Sequence, residues 1–113
     1  MPDAGNIVSI GMAGLEGIRA NTRGADYFVS KTGLLVLTRA LAKGYAARHI
    51  RVNMVSPGQL DNSVDLPPAE EIGRWVPLGQ SGTLHDIAQA VLYLLDATYV
   101  TGVNIDVAGG YRL

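Results

Sequence analysis

The sequence predicts an α/β domain in which about three parallel strands are joined by crossover helices. Three short apolar runs alternate with two segments of helical periodicity along the 113 residues. This alternation is typical of parallel strands, because each connection must carry the chain back across the sheet. Parallel sheets are normally covered on both faces and two helices give little cover, so we expect the chain to be part of a larger sheet.

The first strand and the first helix are predicted on either side of a long loop. Residues 7–10 are a mostly β-branched run that we expect to be a buried strand, and residues 11–25 hold four glycines without a sustained period. From about residue 26 to residue 47 the pattern becomes helical, with Asp26 as the expected N-cap. Spacings of three and four place six side chains on one face of this helix: Tyr27, Lys31, Leu34, Thr38, Leu41 and Tyr45.

The second and third strands are each closed by residues that favour turns. Residues 50–55 are predicted to form the second strand, which Ser56-Pro57-Gly58 ends. Residues 59–82 are expected to be irregular. The third strand is predicted over residues 103–107 and ends at Gly109-Gly110.

The second helix is predicted to begin at Thr83. Asp86 follows three residues later and resembles a capping box with a shorter carboxylate than usual. The helix runs to about residue 97, and its expected buried stripe comprises Ile87, Val91, Leu94 and Leu95.

Composition and charge exclude several function classes. With 9 basic and 10 acidic side chains the formal net charge is −1, which gives no electrostatic case for a nucleic acid or a membrane as partner. The absence of cysteine excludes a disulfide framework and thiolate chemistry, and fits a cytoplasmic protein. No apolar run approaches the ~18 residues of a membrane span, and residues 1–4 lack the basic start of a signal peptide. His49 and His85 have no clustered carboxylate partners, so we expect no metal site.

Tyr27 and Lys31 are the first candidates for chemistry. They are four residues apart, so they lie one helical turn apart and point the same way. A lysine ammonium near a phenol favours the phenolate, and a tyrosine in that setting can act as a general acid or base. The same spacing also occurs in ordinary surface pairs, so the surrounding sequence decides between the two interpretations.

Several motifs surround this pair in a fixed order. They are the strand ending at Gly11, the Tyr-Phe-Val-Ser-Lys segment from Tyr27 to Lys31, the Arg-Val-Asn-Met-Val-Ser-Pro-Gly segment from Arg51 to Gly58, Pro77-Leu78-Gly79, Thr101-Gly102 and Gly109-Gly110. Together they resemble the C-terminal half of the short-chain dehydrogenase/reductase family, most of all its 3-oxoacyl-carrier-protein and pteridine reductases. The resemblance covers nearly the whole chain. It implies one partial Rossmann-type domain over residues 1–113, the C-terminal half of a doubly wound parallel sheet.

The resemblance also implies roles for individual residues. Tyr27 would donate a proton to a carbonyl oxygen as hydride arrives from a reduced nicotinamide, or accept one in the reverse direction. Lys31 would hydrogen-bond the nicotinamide ribose and activate Tyr27. Residues 61–75 would form the lid over the substrate.

The implied cofactor is NADP or NAD. Besides Tyr27 and Lys31, the residues implied to contact it are Pro57, Gly58, Leu60 and Asn62. The Leu60 backbone would meet the carboxamide. Asn62 stands where the family commonly has a threonine at the cofactor phosphate, and its amide could donate a similar bond.

One departure concerns the family's catalytic serine, whose place after Gly11 is taken by Met12. A thioether has no O–H to donate, so part of the stabilisation of the reacting oxygen would be missing. The loop from Met12 to Tyr27 is also about two residues longer than the commonest form. Thr22 or Asn21 could replace the donor; the alternative is that both are ordinary polar loop residues.

A second departure is the N-terminal half of the family's domain, which we expect to be absent together with its glycine-rich turn. Gly11, Gly14 and Gly17 follow a strand, but their spacing differs from the dinucleotide fingerprint and no helix is expected directly after them. We therefore expect the isolated chain to bind the cofactor weakly or not at all.

Two functional hypotheses follow. The first is an NAD(P)-dependent oxidoreductase acting on a small-molecule carbonyl or alcohol, present here as a fragment that is inactive alone. The alternative is a non-catalytic remnant or assembly module that lacks cofactor binding. In either case the open edge of the first strand and the uncovered apolar surface predict a homo-oligomer or a complementing N-terminal half as partner.

Overall fold

The computed structural model describes residues 3–17, 20, 22–64 and 66–113. Three parallel strands form one sheet in the order β1 (Asn6–Ile10), β2 (Arg51–Pro57) and β3 (Asn104–Val107). Helix α1 (Ala25–Tyr45) joins β1 to β2, and helix α2 (Leu84–Asp96) precedes β3. Short 3-10 helices cover Ala46–Arg48 and Ile72–Arg74. The predicted α/β fold with three parallel strands and crossover helices is confirmed.

The two helices lie on opposite faces of the sheet. Val52 and Met54 belong to two buried clusters with α1 residues, which include Phe28, Leu35 and Ala42. Arg51 points to the other face, because successive strand side chains alternate, and its guanidinium donates to the carbonyl oxygens of Leu94 and Leu95 at the end of α2. The middle strand is therefore covered on both faces, as in doubly wound folds.

Helix α1 begins differently from the prediction. Gly24, not Asp26, is its N-cap, in a left-handed conformation with φ 67° that glycine adopts without a side-chain penalty. Asp26 lies in the first turn instead, where its negative carboxylate interacts favourably with the positive end of the helix dipole. Of the six side chains on the predicted face, only Thr38 is buried, and Tyr27 and Tyr45 are exposed. The buried residues of the helix are Phe28, Leu35, Thr38 and Ala42.

Helix α2 begins at the predicted capping box. The Thr83 side chain accepts from the backbone N–H of Asp86, and the Asp86 carboxylate accepts from the backbone N–H of Thr83. The predicted burial of Leu95 is wrong, because that side chain is 45% exposed whereas Leu94 is fully buried. Adjacent residues point about 100° apart around a helix, so both cannot face the sheet.

Strand β1 is more exposed than predicted. Ile7 and Ile10 are 38% and 45% exposed, so the expectation of a buried strand is wrong for the described chain. The physical reason is that β1 pairs only with β2 among the described strands and is one of the two outer strands of the sheet. Neither described helix has the combination of length and hydropathy needed to cross a bilayer.

Candidate active site

The carboxyl ends of β1 and β2 and the segment that follows β3 border one cleft of about 400 Å³. Ile10 pairs with Val55 and Pro57 pairs with Val107, so the strands end at the same edge of the sheet. Backbone bonds continue beyond the strands, from the Ala13 N–H to the Pro57 carbonyl. The lining residues come from the ends of β1 and β2, from the segments that follow the strands, and from α1: Ile10, Gly11, Met12, Ala13, Tyr27, Lys31, Pro57, Gly58, Gln59, Leu60, Ser63, Val64, Tyr111 and Arg112.

Helix α1 brings Tyr27 and Lys31 to this cleft. Tyr27 is in the first turn of the helix and is 55% exposed, so its ring is open to a ligand. Lys31 lies one turn later, with Nζ 5.5 Å from the centroid of the Tyr27 ring. Lys31 Nζ also donates a 3.0 Å hydrogen bond to the carbonyl oxygen of Ile10 at the end of β1. An ammonium has three N–H donors, so two remain for a ligand after this bond.

The segment after β2 forms another wall of the cleft. Gly58 packs so closely on Ala108 that a Cβ at position 58 would lie 2.6 Å from the Ala108 Cβ. The Leu60 N–H donates to Ser63 Oγ at 2.9 Å, and the Leu60 carbonyl accepts from the Ser63 N–H. Asn62 is exposed in the same turn and lies outside the cleft lining.

Met12 is the second residue after β1, and its side chain has two environments. Its side chain lines the cleft, and it also packs against the buried cluster that contains Leu15 and Phe28. Thr22 lines an adjoining cavity and is absent from the lining of the Tyr27 cleft. Asn21, the other suggested donor, lies outside the described residues.

Polar contacts hold the loop that carries Met12 against the sheet. The Gly14 N–H donates to the Asp106 carboxylate at 3.3 Å, and Glu16 accepts from Arg39 at 2.6 Å and from Asn104 at 3.3 Å. The Arg39 hydrogen bond holds the pKa of Glu16 below its ordinary value, although partial burial acts in the opposite direction. The loop is thereby fastened to both α1 and β3.

Within the part of the loop that the structure describes, the glycine series is not followed directly by a helix. After Gly11, Gly14 and Gly17, the described residues remain non-helical until α1 begins at Ala25. A pyrophosphate site of the dinucleotide fingerprint needs a helix N-terminus directly after the turn. The described residues also contain no group of three or more side chains that could hold a metal ion.

Two residues of the cleft that sequence reasoning missed come from the end of the chain. Tyr111 and Arg112 reach the site because Gly109 and Gly110 adopt positive φ angles of 61° and 91° and turn the chain there. The position of these two residues after the third predicted strand was a signal for their place. A segment that follows a parallel strand begins at the sheet edge where the neighbouring strands also end. Tyr111 also stacks with Trp75, with ring centroids 6.5 Å apart and an interplanar angle of 7°.

Comparison with known proteins gives consistent matches over almost the whole chain. A family model described as enoyl-(acyl carrier protein) reductase matches residues 1–112. Carbonyl reductase family member 4 of Danio rerio is 43% identical over 110 residues, which cover 96% of this chain and 46% of that protein. The 3-oxoacyl-[acyl-carrier-protein] reductase of Bos taurus is 40% identical with the same coverage. The chain thus spans about half the length of the curated relatives it matches.

Solved structures agree with these relatives. A blue fluorescent protein from a metagenomic library, crystallised in complex with NADPH, superposes with a TM-score of 0.82 at 38% identity, covering 100% of this chain and 47% of that one. A Serratia marcescens short-chain dehydrogenase/reductase mutant gives a TM-score of 0.85 at 32% identity, covering 100% and 48%.

Proposed function

This chain belongs to the short-chain dehydrogenase/reductase family, and we propose that it provides the catalytic half of an oxidoreductase that uses NADP or NAD. The reaction is the reduction of a small-molecule carbonyl group or, in reverse, the oxidation of an alcohol. One observation carries the proposal: Tyr27 and Lys31 line a single cleft with Pro57, Gly58 and Leu60, where the strands end. The 113 residues would form one partial Rossmann-type domain, and the lack of cysteine favours a cytoplasmic setting.

Tyr27 is the proposed general acid. In the reduction its phenolic proton passes to the carbonyl oxygen while the carbonyl carbon receives a hydride, which gives the alcohol. Lys31 has two N–H donors left after its bond to Ile10, enough to hold a ribose hydroxyl and the Tyr27 oxygen. Its positive charge stabilises the negative charge that develops on that oxygen.

The residues around the cleft fit the nicotinamide end of the cofactor, which supplies the hydride when bound. Gly58 has no side chain, and the cleft wall beside it is set by its packing on Ala108. A carboxamide at the Leu60 N–H would replace the bond that Ser63 Oγ now makes. Asn62 is exposed in the next turn and is the proposed contact for a cofactor phosphate.

We further propose that a second segment provides the pyrophosphate site. The glycine series in the described loop lacks the helix that such a site needs, so the 113 residues alone would bind the cofactor weakly and remain inactive. The outer edge of β1 is suited to receive a strand of that segment, from an N-terminal half or from another copy.

The test begins with the purified 113-residue chain and a chimera that joins the N-terminal half of the Danio rerio relative to it. NADPH and NADH are titrated while nicotinamide fluorescence is followed. We expect no micromolar binding by the chain alone, micromolar binding by the chimera, and carbonyl-dependent oxidation of the cofactor. Tyr27→Phe should lower that turnover by at least about 100-fold in a chimera saturated with cofactor, so that the loss reports on the proton transfer and not on cofactor binding. Full turnover by the Tyr27→Phe chimera would disprove the assigned role.

Met12 favours a second candidate function. Because a thioether cannot donate a hydrogen bond to the reacting oxygen, the chain could be an assembly module that keeps the fold without the reaction. A chimera that binds NADPH tightly and shows no turnover would support this candidate. Recovery of turnover in Met12→Ser would instead attribute the defect to the missing hydroxyl.

A further inference from the structure

A second cavity adjoins the Tyr27 cleft. It measures about 870 Å³ and shares three lining residues with the cleft: Gln59, Tyr111 and Arg112. The stacked rings of Trp75 and Tyr111 contribute flat apolar surface to this cavity, and Arg23 contributes a second guanidinium. A ligand whose reacting group lies at Tyr27 can therefore extend past Arg112 onto the aromatic pair.

Arg112 is held in place at the boundary between the two cavities. Its backbone has a φ of 57°, and the stem of its side chain crosses Gly14, where an added Cβ would lie 2.9 Å from the Arg112 Cβ and 3.2 Å from its Cδ. Its guanidinium carbon lies 5.3 Å from the centroid of the Tyr111 ring. Gly14 thus leaves the room that this arginine needs, and the aromatic face supports the guanidinium.

Among the residues that the structure describes around the two cavities, the charged side chains are all of one sign. The charged side chains among the described lining residues are Lys31, Arg23 and Arg112. None of those lining residues is an aspartate or a glutamate. This contrasts with the net charge of −1 of the whole chain. A cleft lined by one sign of charge attracts ligands of the opposite sign.

From this arrangement we propose that the substrate is an anionic carbonyl compound whose negative group binds Arg112. The carbonyl lies at Tyr27, and an aromatic or other flat group packs against Trp75 and Tyr111. The inference rests on the proposed function, because Tyr27 defines the position of the reacting carbonyl. A carboxylate matches the planar fork of a guanidinium, which favours an oxo acid over a neutral ketone.

The test uses binding, so it does not depend on hydride transfer. Trp75 is the only tryptophan of the chain, and its emission reports directly on this cavity. The probes are 4-oxo-2-phenylpentanoate, an oxo acid whose carboxylate and aromatic ring lie on the same side of the ketone, and its methyl ester, which keeps the ring and the carbonyl but lacks the charge. We expect saturable quenching with the acid bound at least about tenfold more tightly than the ester, as for a charge-assisted hydrogen bond.

The variants Arg112→Gln and Arg74→Gln distinguish binding of the acid at Arg112 from a general attraction of the acid to positive charge. Arg74 is exposed on a 3-10 helix and outside the lining of both cavities, so Arg74→Gln should keep the preference for the acid. Arg112→Gln should abolish the preference and leave the affinity for the ester unchanged. The proposal would be overturned if the acid failed to bind, if the wild-type chain bound both probes equally, or if the preference survived in Arg112→Gln. Loss of turnover in the chimera with the acid preference intact would count against the proposed function alone.

Discussion

Lys31 Nζ donates a 3.0 Å hydrogen bond to the carbonyl oxygen of Ile10, which fastens helix α1 to the end of β1. The bond fixes the ammonium group on the side of the cleft where Tyr27 also lies. It also gives Lys31 a structural role that is separable from its proposed role in the reaction.

Lys31→Met should therefore lower the stability of the fold only slightly and lower the turnover strongly. Because the hydrogen bond lies at an exposed site, we expect a loss of about 1 kcal/mol or less in the free energy of unfolding. Turnover of the chimera should fall by at least about 100-fold, since the donor and the positive charge beside Tyr27 are removed. Lys43→Met, in the last turn of the same helix, is the matched control and should keep turnover. Equal turnover in the two variants would contradict the role of Lys31.

Asn53 should be among the most sensitive positions for stability. Asn53 is fully buried. Its side-chain Nδ2 donates to the Val100 carbonyl at 3.1 Å, and its side-chain Oδ1 accepts from the Val103 N–H at 3.0 Å. Asn53→Ala leaves both backbone groups without their partners, so we expect a loss of about 2–4 kcal/mol in urea unfolding. Asn62→Ala changes an exposed amide and should stay within about 0.5 kcal/mol of the wild type.

The Arg51 to Gly58 segment shows what the sequence predicts well and where it is silent. Its β-branched run and the turn signal after it predict a strand within two residues of its observed bounds. The family resemblance that this motif carries also implies Pro57 and Gly58 as cofactor contacts, and both line the cleft. It does not show that Arg51 bonds the end of α2 or that Asn53 holds the loop before β3, because those contacts join residues more than 40 positions apart.

The candidate site also contains some residues that the sequence predicts and others that it does not. Tyr27 and Lys31 were predicted from their spacing, Leu60 from the family resemblance, and the three residues share one cleft. Arg112 and the Trp75–Tyr111 stack were not found, because their place depends on how the turn at Gly109 and Gly110 directs the end of the chain. The N-cap error at Asp26 has a local cause: a glycine in the left-handed conformation competes with a side-chain cap.

Gly58→Ala should destabilise the fold through a single contact. The added Cβ would lie 2.6 Å from the Ala108 Cβ and 2.8 Å from its Cα, which forces the end of β2 away from the end of β3. Overpacking of this kind costs about 1–3 kcal/mol, measurable as a lower urea midpoint. The double variant Gly58→Ala with Ala108→Gly removes the closer clash and should recover part of the loss. No recovery would place the defect elsewhere than in this contact.

Glu16 should give the chain a pH-dependent contribution to stability. Its hydrogen bond from Arg39 holds its folded-state pKa below the ordinary value of 4.5. Because the folded-state pKa is the lower one, the carboxylate stabilises the fold above about pH 4.5, and this contribution is lost as the pH falls through the folded-state pKa. The pair is about half exposed, so we expect less than about 1 kcal/mol.

Urea unfolding of the wild type and of Glu16→Gln, measured between about pH 3 and pH 7, tests this contribution. The wild type should lose more stability than the variant as the medium becomes acidic, because the neutral amide has no proton to gain. Arg39→Gln should reduce the same difference, and adding Glu16→Gln to it should have little further effect if the two side chains act as a pair. High salt should reduce the difference as well, since the pair is open to solvent. Parallel pH profiles for the wild type and Glu16→Gln would show that the contact between the loop and α1 does not depend on the charge of Glu16.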